Sequence, residues 1–280
     1  VLSLQGVSFQ YAGARRESLY GVDLELRDGT VTGLVGPAEA GKTTLCLVAG
    51  GLAPRSVRGR LTGAVGVDLV SIASWPMERV VGQVVVGLQD PAAQLTGIGA
   101  TVFEEVAFGP ANLGLARPEV VARTWRALEQ VGADGLAERD PARLSGGQQQ
   151  LVVLAGLLAM RARHLILDEP LAHLDAAAAG LVLRGVRAAA DAGAAVLVAE
   201  QRIDELVPSC DQLAVMAAGN IVAAGQPDTV LADPAVAALG VETAHGRLTR
   251  RLTACGLDPT IVEGALAAPT SRPRDAGASA

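Results

Sequence analysis

The run Gly36-Pro37-Ala38-Glu39-Ala40-Gly41-Lys42-Thr43 constrains this chain more than any other stretch. It fits G-x4-G-K-[ST], a pattern that works in one setting: a loop that closes a buried strand and opens a helix. Both flanks agree. TVTGLVG ahead of it is apolar and ends in glycine, and TTLCLVAGGL behind it has helical spacing. In such a loop the backbone N–H groups and the helix N-terminus present positive partial charge to phosphates. Lys42 adds a compact, mobile cation for the β and γ oxygens, and Thr43 offers a hydroxyl to Mg²⁺. Among the 23 basic residues Lys42 is the one lysine, and an arginine fork does not replace an ammonium here. Residues 36–44, through Thr44, are the candidate phosphate-binding set. Glu39 is the odd member. A carboxylate beside a triphosphate costs about 1 kcal/mol per solvated pair, so it is expected to point outward.

The rest of the pattern indicates an α/β chain. Residues 1–35 read as strands separated by Gly and Asp-Gly turn signals. Residues 59–88 read as more strand, ending in VVVGL. Between about 90 and 160 the periodicity turns helical, in TVFEEVAFG, PEVVARTWRALEQVG and GGQQQLVVLAGLLAM. HLILDEP is a short apolar strand ending in acids. A helix over about 176–192, the strand AAVLVAE, a short helix at IDELV and strands near 212–224 follow. Buried strands alternating with helices predict a mainly parallel sheet covered by helices, and the early strands predict an added antiparallel β layer. Residues 226–266 read as small helices, and the tail APTSRPRDAGASA as disordered.

Composition narrows the function. The 280 residues make one large domain or two small ones, at about 100–200 residues per domain. The net charge of −6 leaves no basic surplus for a nucleic-acid backbone, so no nucleic-acid partner is expected. Cys46, Cys210 and Cys255 are too scattered for a disulfide framework or a zinc site. His164 and His245 show no metal-ligand spacing and read as structural. The mean hydropathy of +0.35 is high. Even so, the apolar runs fall short of the roughly 18–20 residues a spanning helix needs, and Leu151 to Met160 stops at Arg161. VLSLQGVSF lacks the basic start and apolar stretch of a signal peptide, so none is expected.

Asp168 and Glu169 stand just past the apolar strand HLIL. In a protein with this phosphate loop, the Mg²⁺ carboxylate belongs at the carboxyl edge of the sheet. Asp168 is therefore the candidate Mg²⁺ residue, acting mostly through water, and Glu169 the group that polarises an attacking water. An ordinary strand end capped by acids has the same look. Leu144-Ser145-Gly146-Gly147-Gln148 opens an apolar helix, with Ser145 placed as its N-cap and glycines that let an anion approach.

The order of these parts decides between the readings. The phosphate loop, Gln89 after a strand, LSGGQ, LILDEP and Leu174-Asp175 together resemble the ATP-binding-cassette (ABC) ATPases over roughly residues 1–230. The resemblance implies ATP and Mg²⁺ as cofactors and ATP hydrolysis as the activity. It implies that Tyr11 stacks on adenine, and that Gln89 contacts Mg²⁺ and senses a transmembrane partner. It implies that Ser145, Gly146, Gly147 and Gln148 act on ATP held by a second ATPase subunit, with Asp175 in the loop between the two. It also implies an ATPase domain over 1–225 (helical subdomain about 90–160). From composition, a disordered tail is expected over 269–280.

LQDPAAQLTGIGATVFEEVAFGPANLGL is similar to the ATPases of energy-coupling factor (ECF) importers, which take up vitamins and transition-metal ions such as cobalt and nickel. This likeness implies a motor subunit at the cytoplasmic face of the membrane. Its partners would be a transmembrane coupling subunit and a substrate-binding membrane subunit. An amphipathic helix with Phe103, Val106, Ala107 and Leu113 on a core face has the same spacing. A C-terminal helical extension is expected over 226–268, at the place where energy-coupling factor ATPases carry one that helps hold two cassettes together.

Three positions depart from the family pattern. Gln201 stands where the switch histidine belongs, and it can donate a hydrogen bond but not carry a proton. Glu39 stands at a position usually glycine, and His173 at a small-residue position. These departures keep open a weakly hydrolysing or clamp-like half of a heterodimeric pair. A soluble ABC protein outside transport is the other alternative, though such proteins usually carry coiled-coil insertions or two cassettes.

Overall fold

A computed structural model describes residues 1–172 and 174–256. His173 and the tail expected to be disordered, 269–280, lie outside the described residues, as do 257–268. The chain forms two compact units, one over Val1–Val241 and one beginning at Glu242.

The first unit opens with β1 (Leu2–Tyr11) and β2 (Leu19–Leu26). Next come β3 (Val31–Val35), the phosphate-loop sequence and α1 (Lys42–Ala49). β4 (Gly59–Val67) and β5 (Val70–Ser71) follow. Here the structure corrects the strand reading of 59–88: α2 (Met77–Val81) interrupts it before β6 (Val84–Gly87). Pro76 starts this helix, because its fixed φ suits the N-terminal edge of a helix and it needs no N–H there.

The helical stretch holds α3 (Val102–Asn112), α4 (Arg117–Gln130) and α5 (Gly146–Met160). Then come β7 (His164–Asp168), α6 (Ala176–Asp191), β8 (Ala195–Ala199) and α7 (Ile203–Leu206). β9 (Gln212–Ala217), β10 (Asn220–Gly225), α8 (Pro227–Leu231) and α9 (Pro234–Ala238) complete the unit. Of the second unit, the described part is α10 (Ala244–Ala254), with an ion pair between Arg250 and Glu242.

The expected two-part sheet is present. One sheet is antiparallel in the order β2-β1-β4-β5. The other runs β10-β9-β3-β8-β7-β6, parallel from β9 to β6, with β10 antiparallel at its edge. β3, β7 and β8 are buried at every residue, which is why they are mainly apolar and do not alternate with exposed polar residues. Their side chains still divide by the two-residue period of a strand. Leu165, Leu167, Val196 and Val198 pack toward the core shared with α5 and α6. Ile166, Ala195, Leu197 and Ala199 pack on the opposite face, with α1 and the antiparallel sheet. Each fully buried Leu or Val contributes about 1.5–3 kcal/mol relative to exposure, so the sheet is anchored on both faces.

α3 buries Val102, Glu105, Val106 and Pro110. Leu113, expected on its core face, is instead exposed, because the helix ends at Asn112 and Leu113 is the cap residue.

Candidate functional site

Four parallel strands end on one edge, and each leads into a candidate residue: β3 into the loop from Gly36, β6 into Gln89, β7 into Asp168 and Glu169, β8 into Gln201. A cavity of about 560 Å³ opens there, lined among others by the loop residues 38–44, Gln89, Glu169 and Gln201.

Two glycines fix the loop. Gly36 has φ 155, and a Cβ on it would lie 2.1 Å from the Met216 carbonyl oxygen on β9. Gly41 caps α1 at φ 106, where a Cβ would meet the Ser18 carbonyl oxygen at 2.8 Å. Only glycine fits both demands of φ and space. The loop is also bonded to the sheet edge, where Gly219 donates its N–H to the Ala40 carbonyl at 2.9 Å. Glu39 is exposed, as expected, and takes the left-handed conformation with φ 61. That conformation explains why glycine suits this position.

Lys42 is buried, and its Nζ donates to the carbonyls of Gly36 at 3.0 Å and Pro37 at 2.9 Å. Burial lowers its pKa, opposed by the negative charges of Glu169, Asp168 and Glu200. Asp168 is also buried. Burial raises its pKa, opposed first by a hydrogen bond with Thr43, while Glu169 pushes the same way as burial. Its Oδ1 is buried with no partner among the described residues. An acid oxygen left unpaired on a carboxylate beside a threonine hydroxyl offers the oxygen donors a hard divalent cation takes. The residues present therefore fit Mg²⁺.

Glu169 sits between two amides. Gln89 Nε2 donates to its Oε2 at 2.9 Å, and Gln201 Nε2 donates to its Oε1 at 2.5 Å. The backbone holds Glu169 in the left-handed region, with φ 50. Its N–H donates to the Ala199 carbonyl at 2.8 Å, so the side chain starts from a fixed point at the end of β7. The arrangement can place a carboxylate and a cation on either side of a terminal phosphate.

Tyr11 ends β1, and its hydroxyl shares a hydrogen bond with Thr44 Oγ1 at 3.0 Å. It stands beside α1 but does not line the cavity. Ser145 caps α5 as its sequence suggests. Its Oγ accepts from Gln148 N, and Gln148 Oε1 accepts from Ser145 N. A Cβ on Gly146 would meet nothing within 4 Å, and Gly147 faces Leu174. Asp175 caps α6 by accepting from Ala178 N at 2.8 Å. Neither Asp175 nor Ser145–Gln148 lines the cavity, so that cluster and the phosphate loop lie apart within this chain.

Sequence reasoning missed Tyr20, which lines the cavity and is 40% exposed. It also missed Glu200 and Arg202 on either side of Gln201. Nothing in the periodicity of β2 marks Tyr20. The acid directly after the apolar run AAVLVA was a signal for Glu200, but nothing in the sequence marks its partners.

A second cavity, about 370 Å³ and mostly apolar, lies beside the segment after Gln89, against Leu95, Phe108, Val153, Gly156 and Met160. Side chains pin that segment. Gln94 Oε1 accepts from Leu88 N, Gln94 Nε2 donates to Val86 O, and Glu105 accepts from both Thr96 N and Thr96 Oγ1. Among the described residues no helix is long and apolar enough to cross a membrane.

The family model for ABC transporters matches residues 19–172. The energy-coupling factor transporter ATP-binding protein EcfA2 of Symbiobacterium thermophilum is 39% identical over 212 residues, covering 75% of this chain and 72% of that protein. The cobalt import ATP-binding protein CbiO of Syntrophus aciditrophicus is 34% identical over 235 residues, covering 82% of this chain and 80% of that protein. Among solved structures, cbiO1 of Clostridium perfringens, described as part of the ABC transporter complex cbiONQ, superposes with a TM-score of 0.74 at 26% identity. That match covers 94% of this chain and 98% of the other.

Proposed function

Since this chain belongs to the ABC transporter family as an ATP-binding subunit that couples ATP hydrolysis to transport, we propose that it is the motor of an ECF-type importer for a vitamin or transition-metal ion. The observation that carries this reading is the pinned segment after Gln89, which joins the ATP site to the apolar groove beside α3. A transmembrane coupling subunit docks there, and a separate membrane subunit selects the solute. The chain then works at the cytoplasmic face of the membrane, with residues 1–225 as its ATPase domain and 226–268 as the extension.

In this reading the loop 36–44 binds the phosphates of ATP, and Tyr11 stacks on the adenine. Lys42 leaves its two carbonyls to meet the β and γ oxygens. Thr43, Asp168 and Gln89 would hold Mg²⁺, which would supply charge neutralisation of the phosphates. Glu169 orients the attacking water and accepts its proton. Gln201 donates to the γ-phosphate and, through Glu169, keeps the carboxylate aimed. Ser145 to Gln148 complete the site of a second cassette, and Asp175 lies at the contact between them.

Co-expression with the transmembrane coupling subunit of an ECF importer tests the docking. Wild-type chain is expected to co-purify with it. Phe108→Asp, on the rim of the groove, is expected to lose that association while binding ATP as before. Retention by the variant would remove the groove from the reading.

A clamp-like half of a heterodimer is the second reading, favoured by Gln201 in the switch position. Light scattering of Glu169→Gln with and without Mg-ATP separates them. A shift from monomer to dimer supports a symmetric motor, and a monomer that binds ATP points to a different partner cassette.

A further inference from the structure

Glu200 and Arg202 flank Gln201, and both side chains reach the segment that follows Glu169. Glu200 is 2% exposed, yet its carboxylate accepts backbone N–H groups from Leu171 at 3.0 Å, Gln201 at 2.7 Å and Arg202 at 3.2 Å. Arg202 Nη1 donates to the carbonyls of Leu171 at 2.7 Å and Leu174 at 2.9 Å. Its other nitrogens hold Glu205 on α7. Leu171 is thus gripped at both ends, its N–H by the acid and its carbonyl by the base. Leu174 immediately precedes Asp175, the cap of α6.

Packing alone does not call for these groups. A buried carboxylate costs several kcal/mol unless its oxygens are satisfied, and an apolar residue would fill the same space more cheaply. The fork of Arg202 reaches two carbonyls and an acid at once, a geometry a lysine cannot reproduce. One run of three residues therefore touches Glu169 through Gln201, and Leu171 and Leu174 through its neighbours.

We propose that Glu200 and Arg202 are positioning residues that tie the segment Leu171–Leu174 to the loop of Gln201, so that a γ-phosphate engaging Gln201 also shifts Asp175. The proposal rests on the roles given above to Gln201 and Asp175. Its consequence is that nucleotide held by this phosphate loop is reported to the facing cassette through the 171–175 segment. Neither Glu200 nor Arg202 touches the nucleotide.

Hydrogen–deuterium exchange of the full chain tests it, with and without Mg-ATP. In wild type, ATP is expected to slow exchange in the phosphate loop, in 199–206 and in 171–178 together, by about fivefold in the last, the lower end of ordinary coupling. In Arg202→Ala the phosphate loop and 199–206 still respond and ATP affinity stays within about twofold, but the response of 171–178 is lost. Arg202→Lys restores only part of it.

A wild type in which 171–178 ignores ATP overturns the proposal. So does an Arg202→Ala chain whose 171–178 still responds, and so does one that loses all three responses alike. Gln201→Ala separates the underlying reading. If ATP still slows both 199–206 and 171–178 in that variant, Gln201 is not the contact that senses nucleotide. The tie between the loops is then judged on the Arg202 variants alone.

Discussion

Gln201 Nε2 donates to Glu169 Oε1 at 2.5 Å, so the residue in the switch position is bonded to the carboxylate proposed to activate water. The amide is a neutral donor. It aims the carboxylate and its dipole favours nearby negative charge, but it cannot move a proton or bring a full positive charge to the γ-phosphate. Gln201→His is expected to raise ATP turnover of the assembled complex by about five- to tenfold, which corresponds to ~1–1.4 kcal/mol of barrier. Phosphate release measured on the complex checks this, and an unchanged or lower rate counts against the assigned role.

Glu169→Gln keeps the shape of the side chain and removes its charge. Turnover is expected to fall by at least about a hundredfold, the lower range for a lost general base. ATP affinity should hold, because Lys42 and the loop amides are untouched. Equal turnover in mutant and wild-type complexes would instead assign hydrolysis to the partner cassette.

Glu39 is a left-handed, exposed carboxylate at the mouth of the phosphate loop. Glu39→Gly removes a charge of the wrong sign, worth about 1 kcal/mol at most. The left-handed strain it also relieves, roughly 1–2 kcal/mol, bears on stability and not on affinity. ATP is expected to bind two- to fivefold more tightly, ~0.4–1 kcal/mol, in a fluorescent-nucleotide titration. The gain should shrink in high salt, since the charge part is screened.

His164 opens β7 inside the core with both ring nitrogens unpartnered among the described residues, and burial pushes its imidazole pKa down to about 4. An unfolded chain takes up that proton near pH 6.5. Between pH 6.5 and about 4 the unfolded state therefore binds a proton that the native state refuses, and stability falls as pH falls through that window. The expected loss at pH 5 is about 2 kcal/mol relative to pH 7.5. Urea unfolding at both pH values should show a shallower loss in His164→Leu, and an equal loss in both proteins would remove His164 as the cause.

The sequence carried the parts whose chemistry is local. Gly36 to Thr43 is legible because one loop needs those residues in that order, and Ser145 with Gln148 because a capping box spans one turn. The apolar runs of β7 and β8 announced a sheet buried on both faces. α2 was not legible, because a five-residue helix shows too little periodicity to stand out among valines. Tyr20, Glu200 and Arg202 were hidden for another reason. The bonds from Glu200 and Arg202 cross to Leu171 and Leu174, and Tyr20 meets the loop only because β2 passes beside residues 218–219. Such pairings belong to the packing of the strands and leave no trace in spacing.

Lys42 donates to Gly36 and Pro37 of its own loop, and the loop lies close against β9 at Gly36 and accepts the Gly219 N–H at Ala40. If the loop binds nucleotide as proposed, the ligand meets a cradle already in shape, and little chain entropy is lost when it lands. What it must displace is the lysine's grip on two carbonyls. A pyrophosphate can outbid both; a nucleoside or a lone monophosphate offers too little charge in exchange. Under the proposed function, affinity is then expected to rise with the number of phosphates a ligand carries, before any contact with its base.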